Sequence, residues 1–334
     1  MKRRLACLAN LPRYGPVPLH DPQQQVEVWF EDSGEPRNVT RNNVVVALRP
    51  FTLGVMFDTD SSPRDGSSNE KSSNENSSKE NSPNERSPNN GSPNKLCMRD
   101  AASHRLLGAI HLRPANRISL PGCDFRLFET IDCENYCVPP ANLRLYYLRE
   151  RWRAKRRQRR NPFNFRMTPM DLRCSHVFYT CPRPVVLVTV EHQGASNMFP
   201  MDLIGPTDSP WFSMALRSTS PAVRLMQQSR RMALAGVPAH YQSLAYELGK
   251  HHRLPSIDLA KLTFPTRLSP TFGLPVMEDA LRVREVRVEE FHEVGSHVLF
   301  LTSLVSDSGP QDSGRPQLFH SFNSCGNSPA VGAR

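Results

Sequence analysis

Short apolar runs dominate the chain after residue 183. Residues 184–190, PVVLVTV, are almost wholly apolar, which is typical of a buried strand, and a turn at EHQG follows them. Residues 211–216, WFSMAL, alternate with a period of two and predict a strand with one buried face. The spacing becomes helical in SPAVRLMQQ, residues 220–228, and returns to a strand pattern in RRMALAGV, residues 230–237.

Further along, residues 239–252 predict a helix with a basic last turn, and residues 297–305, HVLFLTSLV, predict a final strand. Between them, the apolar alternation of LRVREVRVEE slips by one residue, which predicts a β-bulge near Glu285. Strands outnumber helices throughout this part. The pattern therefore favours a small, mainly β barrel with one or two short helices over an alternating α/β fold.

The N-terminal part has its own strand-like runs, VVVALRPFTLGVMF and RLLGAIHLRPA, on either side of a polar segment. Residues 61–95 contain 11 Ser and 8 Asn and no residue of the set AVILMFWYC. Such a composition cannot bury enough surface to offset the entropy of ordering. We therefore predict a β-rich N-terminal module over 1–135, of unknown role, interrupted by a disordered insert at 60–96.

Residues 136–164 predict a basic helical connector, begun by two prolines and ended by Pro162. The net charge of the chain is +10, and the run RERWRAKRRQRR at 149–160 carries most of it. A solvated helix face is the ordinary explanation of such a run, while a phosphate backbone or an acidic partner is the alternative. We expect the barrel domain at 165–306 and a disordered tail at 307–334.

The composition also narrows the cellular setting. The longest apolar run is shorter than the ~20 residues that span a bilayer. At the N-terminus, the apolar segment that follows the basic residues ends within a few positions, at Asn10 and Pro12, which argues against a signal peptide for export. The eight cysteines form no CxxC pair, so reduced thiols are favoured over a disulfide framework. Cys133 and Cys137 stay ambiguous between buried thiols and half of a site. We predict a cytoplasmic protein without membrane contact.

Several kinds of site are excluded by their missing motifs. No two glycines are separated by one residue, so the dinucleotide fingerprint is absent, and neither a GK[ST] loop nor a GxSxG elbow occurs. The histidines of HEVGSH, residues 292–297, stand five apart, whereas zinc peptidases use a spacing of four on a helix. We predict no metal site.

A cluster of one arginine and three hydroxyls, Arg217, Ser218, Thr219 and Ser220, stands just ahead of Pro221 and the predicted helix. A helix N-terminus offers unpaired N–H groups and a partial positive charge, to which Arg217 adds a full charge, so phosphate could bind here. A simple helix cap by Ser220 explains the serine equally well.

The order of motifs around this cluster resembles the flavin reductase-like family, the FMN-binding split barrels. Val188-Thr189, Gly194 with Asn197, and Pro200 to Asp202 follow one another. They are succeeded by the strand at 211–216, the hydroxyl cluster, and a strand ending in Val237-Pro238. Gly295-Ser296-His297 stands where the family has a G-D-H-like turn, with Ser296 in place of the usual acidic residue. The resemblance covers residues 165–306.

The resemblance implies that the hydroxyl cluster binds the phosphate of FMN, or of FAD, through Arg217, Ser218, Thr219 and Ser220. It implies that a flavin ring lies against residues 197–202. Those residues are Asn197, Met198, Phe199, Pro200, Met201 and Asp202. For each apolar one of these, ordinary core packing is the alternative. His297 would orient the nicotinamide or the flavin edge, or else bond within its strand pair. A homodimer is implied, with NAD(P)H as co-substrate and an oxygenase or another electron acceptor as partner.

The leading hypothesis is thus an NAD(P)H-dependent flavin reductase-type oxidoreductase. Two alternatives remain: a non-catalytic FMN-binding protein, which the presence of Ser296 leaves open, and a nucleic-acid or acidic-partner adaptor acting through residues 149–160, which we rank last because nucleic-acid motifs are missing.

Overall fold

The computed structural model describes residues 12–21, 25–58, 94–160, 166–205, 210–309 and 314–323, without the side chains of residues 157, 158 and 160. Strands form two sheets of seven strands each, a three-stranded sheet and a two-stranded ribbon. This mainly β architecture with curled sheets and few short helices confirms the predicted fold class.

The N-terminal sheet contains seven antiparallel strands in the spatial order β3-β2-β6-β7-β8-β5-β4. They are β2 (Val26–Glu31), β3 (Arg37–Asn38), β4 (Asn43–Leu48), β5 (Phe51–Asp58), β6 (Asn94–Asp100), β7 (Leu106–Leu120) and β8 (Cys123–Asn135). The insert predicted at 60–96 mostly falls outside the described residues. Its end is corrected, because Asn94 already begins β6 and Leu96 is fully buried.

Two helices connect the sheets: α1 (Pro140–Arg160) and α2 (Pro169–Phe178). Thr168 and Asp171 form a capping box at the start of α2, and the Asp171 Oδ1 atom also accepts a hydrogen bond of 2.9 Å from the Phe51 N–H. The start of α2 is therefore tied to the N-terminal sheet. On α1, Tyr146 is buried while Trp152 is largely exposed, so α1 packs by one side only.

The second sheet has the spatial order β11-β10-β14-β17-β18-β13-β12. Its strands are β10 (Val186–His192), β11 (Ala195–Met201), β12 (Ile204–Gly205), β13 (Trp211–Arg217), β14 (Arg231–Gly236), β17 (Val283–Val294) and β18 (His297–Asp307). Along the chain, helix α3 (Ala222–Ser229) connects β13 to β14, and helix α4 (Gln242–Leu248) follows β14. Three 3-10 turns, at Ala239–Tyr241, Gly249–Arg253 and Leu259–Lys261, also lie in the connection between β14 and β17. The ribbon is formed by β15 (Thr266–Leu268) and β16 (Pro275–Met277).

The bulge predicted near Glu285 is confirmed by a register shift between Glu285 and Val286 in the β17–β18 ladder. The Glu285 carboxylate is buried and accepts hydrogen bonds from the Ser269 hydroxyl and from the N–H groups of Thr271 and Phe272. The bulge thus directs this carboxylate to the loop that precedes β16.

The disordered tail predicted at 307–334 is wrong over residues 314–323. There, β19 (Gln317–Asn323) pairs with both β1 (Arg13–Leu19) and β9 (Arg183–Pro184). Leu318, Phe319 and Phe322 are buried by this pairing. Two adjacent apolar residues and a third three positions later are too few to predict a strand in a segment rich in Ser, Gly and Pro. The pairing with strands distant in the chain stabilises β19 instead. Residues 324–334 lie outside the described part.

No helix in the described segments is long and apolar enough to cross a membrane. The same segments contain no group of three or more His, Cys, Asp or Glu residues able to hold a metal ion. All six cysteines within them are free thiols.

Phe322→Ala should show that β19 belongs to the core. The Phe322 ring stacks on His176 with a centroid distance of 4.6 Å and is 2% exposed. Removal of a buried phenylalanine costs about 3–5 kcal/mol. The free energy of unfolding, measured in urea, should fall by that amount. Phe291→Ala is the control, since this ring is 39% exposed and should cost less than about 1 kcal/mol. Equal small losses would contradict the placement of β19.

Candidate functional site

A cavity of about 730 Å³ opens where the second sheet meets the β4–β5 turn of the N-terminal sheet. It is bounded by the end of β11, the turn between β13 and α3, and the 3-10 turn at Gly249–Arg253. Predicted site residues that line it are Pro200, Met201, Asp202, Arg217, Thr219, Ser220 and His297. Leu48, Leu203, Ala215, Leu216, Pro221, Gly249, His252 and Arg253 complete the wall.

Arg217 and His297 are cross-strand partners at the ends of β13 and β18. Burial, and next the neighbouring Arg253, lower the pKa of Arg217 from its usual value. A guanidinium starts from so high a pKa that it keeps its charge at neutral pH. Arg217 therefore brings a fixed, partly desolvated positive charge to the cavity.

The His297 ring is almost fully buried and neutral. Burial, and next the charge of Arg217, lower its pKa to about 4. Its Nδ1 atom lies 2.9 Å from the Ser296 Oγ atom and 3.5 Å from the Leu48 N–H. Because the Leu48 N–H can only donate, Nδ1 is the acceptor in that contact, and the Ser296 hydroxyl, which accepts from the Arg49 N–H at 3.1 Å, donates to Nδ1. These contacts assign the hydrogen of the ring to Nε2.

The three hydroxyl residues of the cluster have different surroundings. The Ser220 hydroxyl donates to the His252 carbonyl at 2.7 Å, so it does not cap α3, whose N-terminus has no side-chain cap. The Ser218 N–H and hydroxyl both face the Ser296 carbonyl, at 3.2 and 3.3 Å. Thr219 lines the cavity together with Ser220. The simple capping alternative for Ser220 is thus excluded, and Ser218 braces the turn.

Asn197, Met198 and Phe199 do not line the cavity, contrary to what the resemblance implies. The Asn197 side-chain amide donates to the carbonyls of His251 and Leu254, at 3.2 and 2.9 Å. Phe199 is buried in the barrel core with Met201 and Leu216, while Met198 packs on the opposite side of the sheet with Leu187. Asn197 thus holds the basic 3-10 turn in place behind Pro200, and the two apolar side chains are core residues.

Asp202 lies in a polar cluster at the far end of β11. Its Oδ2 atom accepts from the Tyr179 hydroxyl at 2.8 Å and from His320 Nδ1 at 2.7 Å. Burial acts to raise the pKa of Asp202, but the hydrogen bond and charge of His320, followed by the Tyr179 hydroxyl, lower it. Burial likewise acts against the charge of His320, yet Asp202 raises that pKa. The hydrogen bond between Asp202 and His320 thus fixes β19 beside the cavity.

A second cavity, of about 810 Å³, adjoins the first and shares Leu48, Asp202, Leu203 and Arg217 with it. Arg13, Arg149 and Arg153 line its other walls beside aromatic rings. Arg153 pairs with Glu150 at 2.8 Å. Part of the basic run 149–160 is therefore turned toward a cavity next to Arg217, which the charge pattern alone did not reveal.

Leu48, His252 and Arg253 line the cavity but are not among the residues predicted from the sequence. The His252 Nε2 atom lies 2.9 Å from the Pro200 carbonyl, and burial lowers the pKa of the ring. The basic end GKHHR of the predicted helix was a visible signal for His252 and Arg253. Leu48 had no signal, because its place depends on how two sheets meet.

Residues 178–326 match the family model of the flavin reductase like domain. This confirms the resemblance and extends it beyond residue 306, through β19. A search of curated proteins gave no match. The first cavity and both cross-strand partners, Arg217 and His297, lie within the matched residues. Leu48 and the basic wall of the second cavity lie outside the flavin reductase-like domain.

Solved structures similar to the chain include an FMN-binding protein from Thermus thermophilus with bound p-hydroxybenzaldehyde, 24% identical, with 44% of this chain and 90% of that chain covered and a TM-score of 0.38. The NADH:FAD oxidoreductase SgcE6 of Streptomyces globisporus C-1027, in complex with NAD and FAD fragments, is 18% identical over 51% of this chain and 100% of its own, with a TM-score of 0.41. BorF, the flavin reductase component of a bacterial two-component tryptophan halogenase, is 16% identical over 46% and 96%, with a TM-score of 0.40.

His297 should titrate with a pKa of about 4 by NMR, its signals being assigned by their loss in His297→Gln. Arg217→Gln should move this pKa upward. Between pH 6.5 and about 4, the His297 ring is protonated in the unfolded chain, where its pKa is near 6.5, but stays neutral in the folded protein. The contribution of His297 to stability should therefore be full above about pH 6.5 and decline as the pH falls toward about 4. A pKa at or above 6.5 in the folded protein would contradict the buried position.

Proposed function

We propose that the chain is a flavoprotein of the reductase type, which binds FMN or FAD and passes hydride from NAD(P)H to the flavin. The observation that carries the proposal is the cavity beside Arg217, Thr219 and Ser220 inside the flavin reductase-like domain.

The residues present fit a flavin. The cavity volume falls within the range of about 300–1,000 Å³ usual for small-molecule sites. One end offers the Arg217 charge and the Thr219 side chain for a phosphate, with Ser220 beside them, although its hydroxyl hydrogen is donated to the His252 carbonyl. Leu48, Met201 and Leu216 give the rest an apolar wall. Arg217 and Thr219 would thus hold the phosphate end, next to Ser220, with Pro200, Met201 and Asp202 along the ring.

When bound, a flavin supplies the acceptor of a hydride, so the chain needs no dedicated general base. Arg217 fixes the anionic end of the ligand. His297 is held neutral with its hydrogen on Nε2, and in that form it adds no second positive charge beside Arg217. The apolar wall excludes water from the reacting face.

We assign the nicotinamide nucleotide to the second cavity. Arg13, Arg149, Arg153 and Arg217 outnumber the carboxylates of Glu150 and Asp202 on its walls, which suits the phosphates of NAD(P)H. The second cavity meets the first at Arg217 and Asp202. An oxygenase or another electron acceptor would then receive the reduced flavin or its electrons.

A flavin-binding protein without turnover is the second candidate. Ser296 occupies the place of the acidic residue usual before the histidine, and its hydroxyl is already held between the Arg49 N–H and the His297 ring. Flavin that stays bound but is reduced by neither NADH nor NADPH would favour this candidate.

Arg217→Gln should weaken FMN binding roughly tenfold or more, since a hydrogen bond to a charged group contributes about 1.5–3 kcal/mol. Binding is measured by fluorescence titration with FMN and with riboflavin, which lacks the phosphate. Riboflavin affinity should change little. Arg224→Gln removes the same charge from the exposed face of α3 and should leave both affinities unchanged. Equal losses for FMN and riboflavin would contradict the phosphate role.

Arg149→Gln should raise the KM for NADH or NADPH several-fold and leave kcat nearly unchanged, because the residue is proposed to bind the co-substrate and takes no part in the hydride step. The rate of NAD(P)H oxidation with saturating FMN is the measurement. Arg151→Gln is the matched control, since Arg151 is exposed on the same helix and does not line the cavity. The same KM for both variants would remove the nucleotide from the second cavity.

A further inference from the structure

The two large sheets have the same topology. If β2 to β8 are matched in chain order with β10, β11, β12, β13, β14, β17 and β18, the spatial order β3-β2-β6-β7-β8-β5-β4 becomes β11-β10-β14-β17-β18-β13-β12. That is the observed order of the second sheet, and every matched neighbour pair is antiparallel in both. This strand order is complex, and it is the same for all seven strands of both sheets. The agreement indicates that one fold is present twice in the chain.

The matched hairpins also agree in detail. The long hairpins β7–β8 and β17–β18 each contain two register shifts, and each closes with a two-residue turn that includes a glycine of positive φ, Gly122 or Gly295. Asp58, the last residue of β5, pairs with Cys123, the first residue of β8. In the second sheet the corresponding pair is Arg217 and His297. The correspondence therefore holds residue by residue at the candidate site.

The two sheets pack against each other through matched surfaces. Counted from the start of their strands, Phe125 and Leu127 of β8 correspond to Leu299 and Leu301 of β18, and all four belong to one buried cluster. The matched strands β4 and β12 also meet, since a Cβ at Gly205 would lie 3.0 Å from the Asn43 carbonyl oxygen. Equivalent elements facing each other are the signature of a two-fold interface.

The turns make reciprocal contacts across this interface. The turn closing β17–β18 reaches the β4–β5 turn, where the Ser296 N–H donates to the Arg49 carbonyl at 2.9 Å. In the opposite direction, Trp211 at the start of β13 donates through its indole N–H to the Pro121 carbonyl, in the turn closing β7–β8, at 3.1 Å. Each sheet thus receives the closing turn of the other's long hairpin at matched places.

We propose that the N-terminal sheet is a second copy of the split-barrel fold, which acts as a partner subunit carried on the same chain and completes the single flavin site of the flavin reductase-like domain. This inference rests on the proposed function for the identity of the ligand. Leu48, the last residue of β4, lines the cavity wall, and its N–H donates to the His297 ring. The homodimer that the resemblance implies is then replaced by an interface within one chain.

Only one of the two copies retains the residues for a phosphate. Asp58 stands at the position of Arg217 and replaces a positive charge with a negative one, and Cys123 stands at the position of His297. The connection after β13 carries α3, which buries Ala222, Leu225 and Met226. Residues 59–93, which connect the matched strands β5 and β6, contain no residue of the set AVILMFWYC, so their composition differs from that of the connection after β13. One flavin for each chain follows.

The mass of the full chain tests the inference without any flavin. Light scattering during gel filtration should give one chain, 37.8 kDa. After loading, one FMN per chain should be found. A particle of twice that mass, or two flavins per chain, would overturn the inference. Absence of bound FMN from a single-chain particle would instead overturn the proposed function and leave the shared fold in place.

Gly295→Ala and Gly122→Ala form a matched pair for the role of the turn. Both glycines have positive φ, so alanine adds similar backbone strain at each. A Cβ at Gly295 would lie 2.6 Å from the Arg49 carbonyl oxygen, whereas a Cβ at Gly122 meets nothing within 4 Å. Gly295→Ala should weaken FMN binding at least tenfold and shift the NMR signals of His297. Gly122→Ala should change FMN binding less than twofold.

The His297 signals serve as a readout that needs no flavin, since the Leu48 N–H faces the ring directly. His297 signals and FMN affinity unchanged from wild type in Gly295→Ala would overturn the proposed part of the N-terminal sheet in the site. Near-ultraviolet circular dichroism of both variants confirms that each is folded before the comparison is made.

Discussion

The structure of the site depends on the contact between two turns, one from each large sheet. Ser296 and Arg49 exchange hydrogen bonds there, from the Ser296 N–H to the Arg49 carbonyl and from the Arg49 N–H to the Ser296 hydroxyl. This exchange places Leu48 on the cavity wall and directs the Ser296 hydroxyl at the His297 ring. The contact thereby orients the His297 ring, while burial and the charge of Arg217 keep the ring neutral.

The local pattern of the second sheet was enough to predict much of the fold. Alternation in residues 211–216, the helical spacing after Pro221 and the phase slip at Glu285 are each recorded in neighbouring residues, and the corresponding strand, helix and bulge are present. β19 was missed because its stability comes from partners far away in the chain, β1 and β9. A strand that is stabilised mainly by pairing with distant strands shows only a weak strand pattern in its own sequence.

In the candidate site, too, some residues were predictable from the local sequence and others depend on contacts between distant parts of the chain. Arg217, Thr219, Ser220 and His297 were recognisable from their order in the chain, and they do line one cavity with Pro200, Met201 and Asp202. Asn197, Met198 and Phe199 were predicted to line the flavin site as one continuous stretch. Successive side chains of a strand point to opposite faces, and here Phe199 packs in the barrel core while Met198 packs on the other face. Neither of these side chains lines the cavity, and nor does Asn197. Leu48 could not have been found, since nothing within the N-terminal sequence indicates which surface its turn will meet. The roles of all these residues toward a flavin stay predictions.

The pairing of two unequal sheets in one chain has a consequence for how the protein can change. In a symmetric dimer one gene encodes both sides of the interface, so every substitution there happens twice and both sites respond together. Here the residue at 58 can differ from the residue at 217, and the connection after β5 can differ in length and composition from that after β13. One side is thereby released from ligand binding and can acquire other surfaces, while the other side keeps its pocket. Freedom from symmetry permits a division of labour that identical subunits cannot reach.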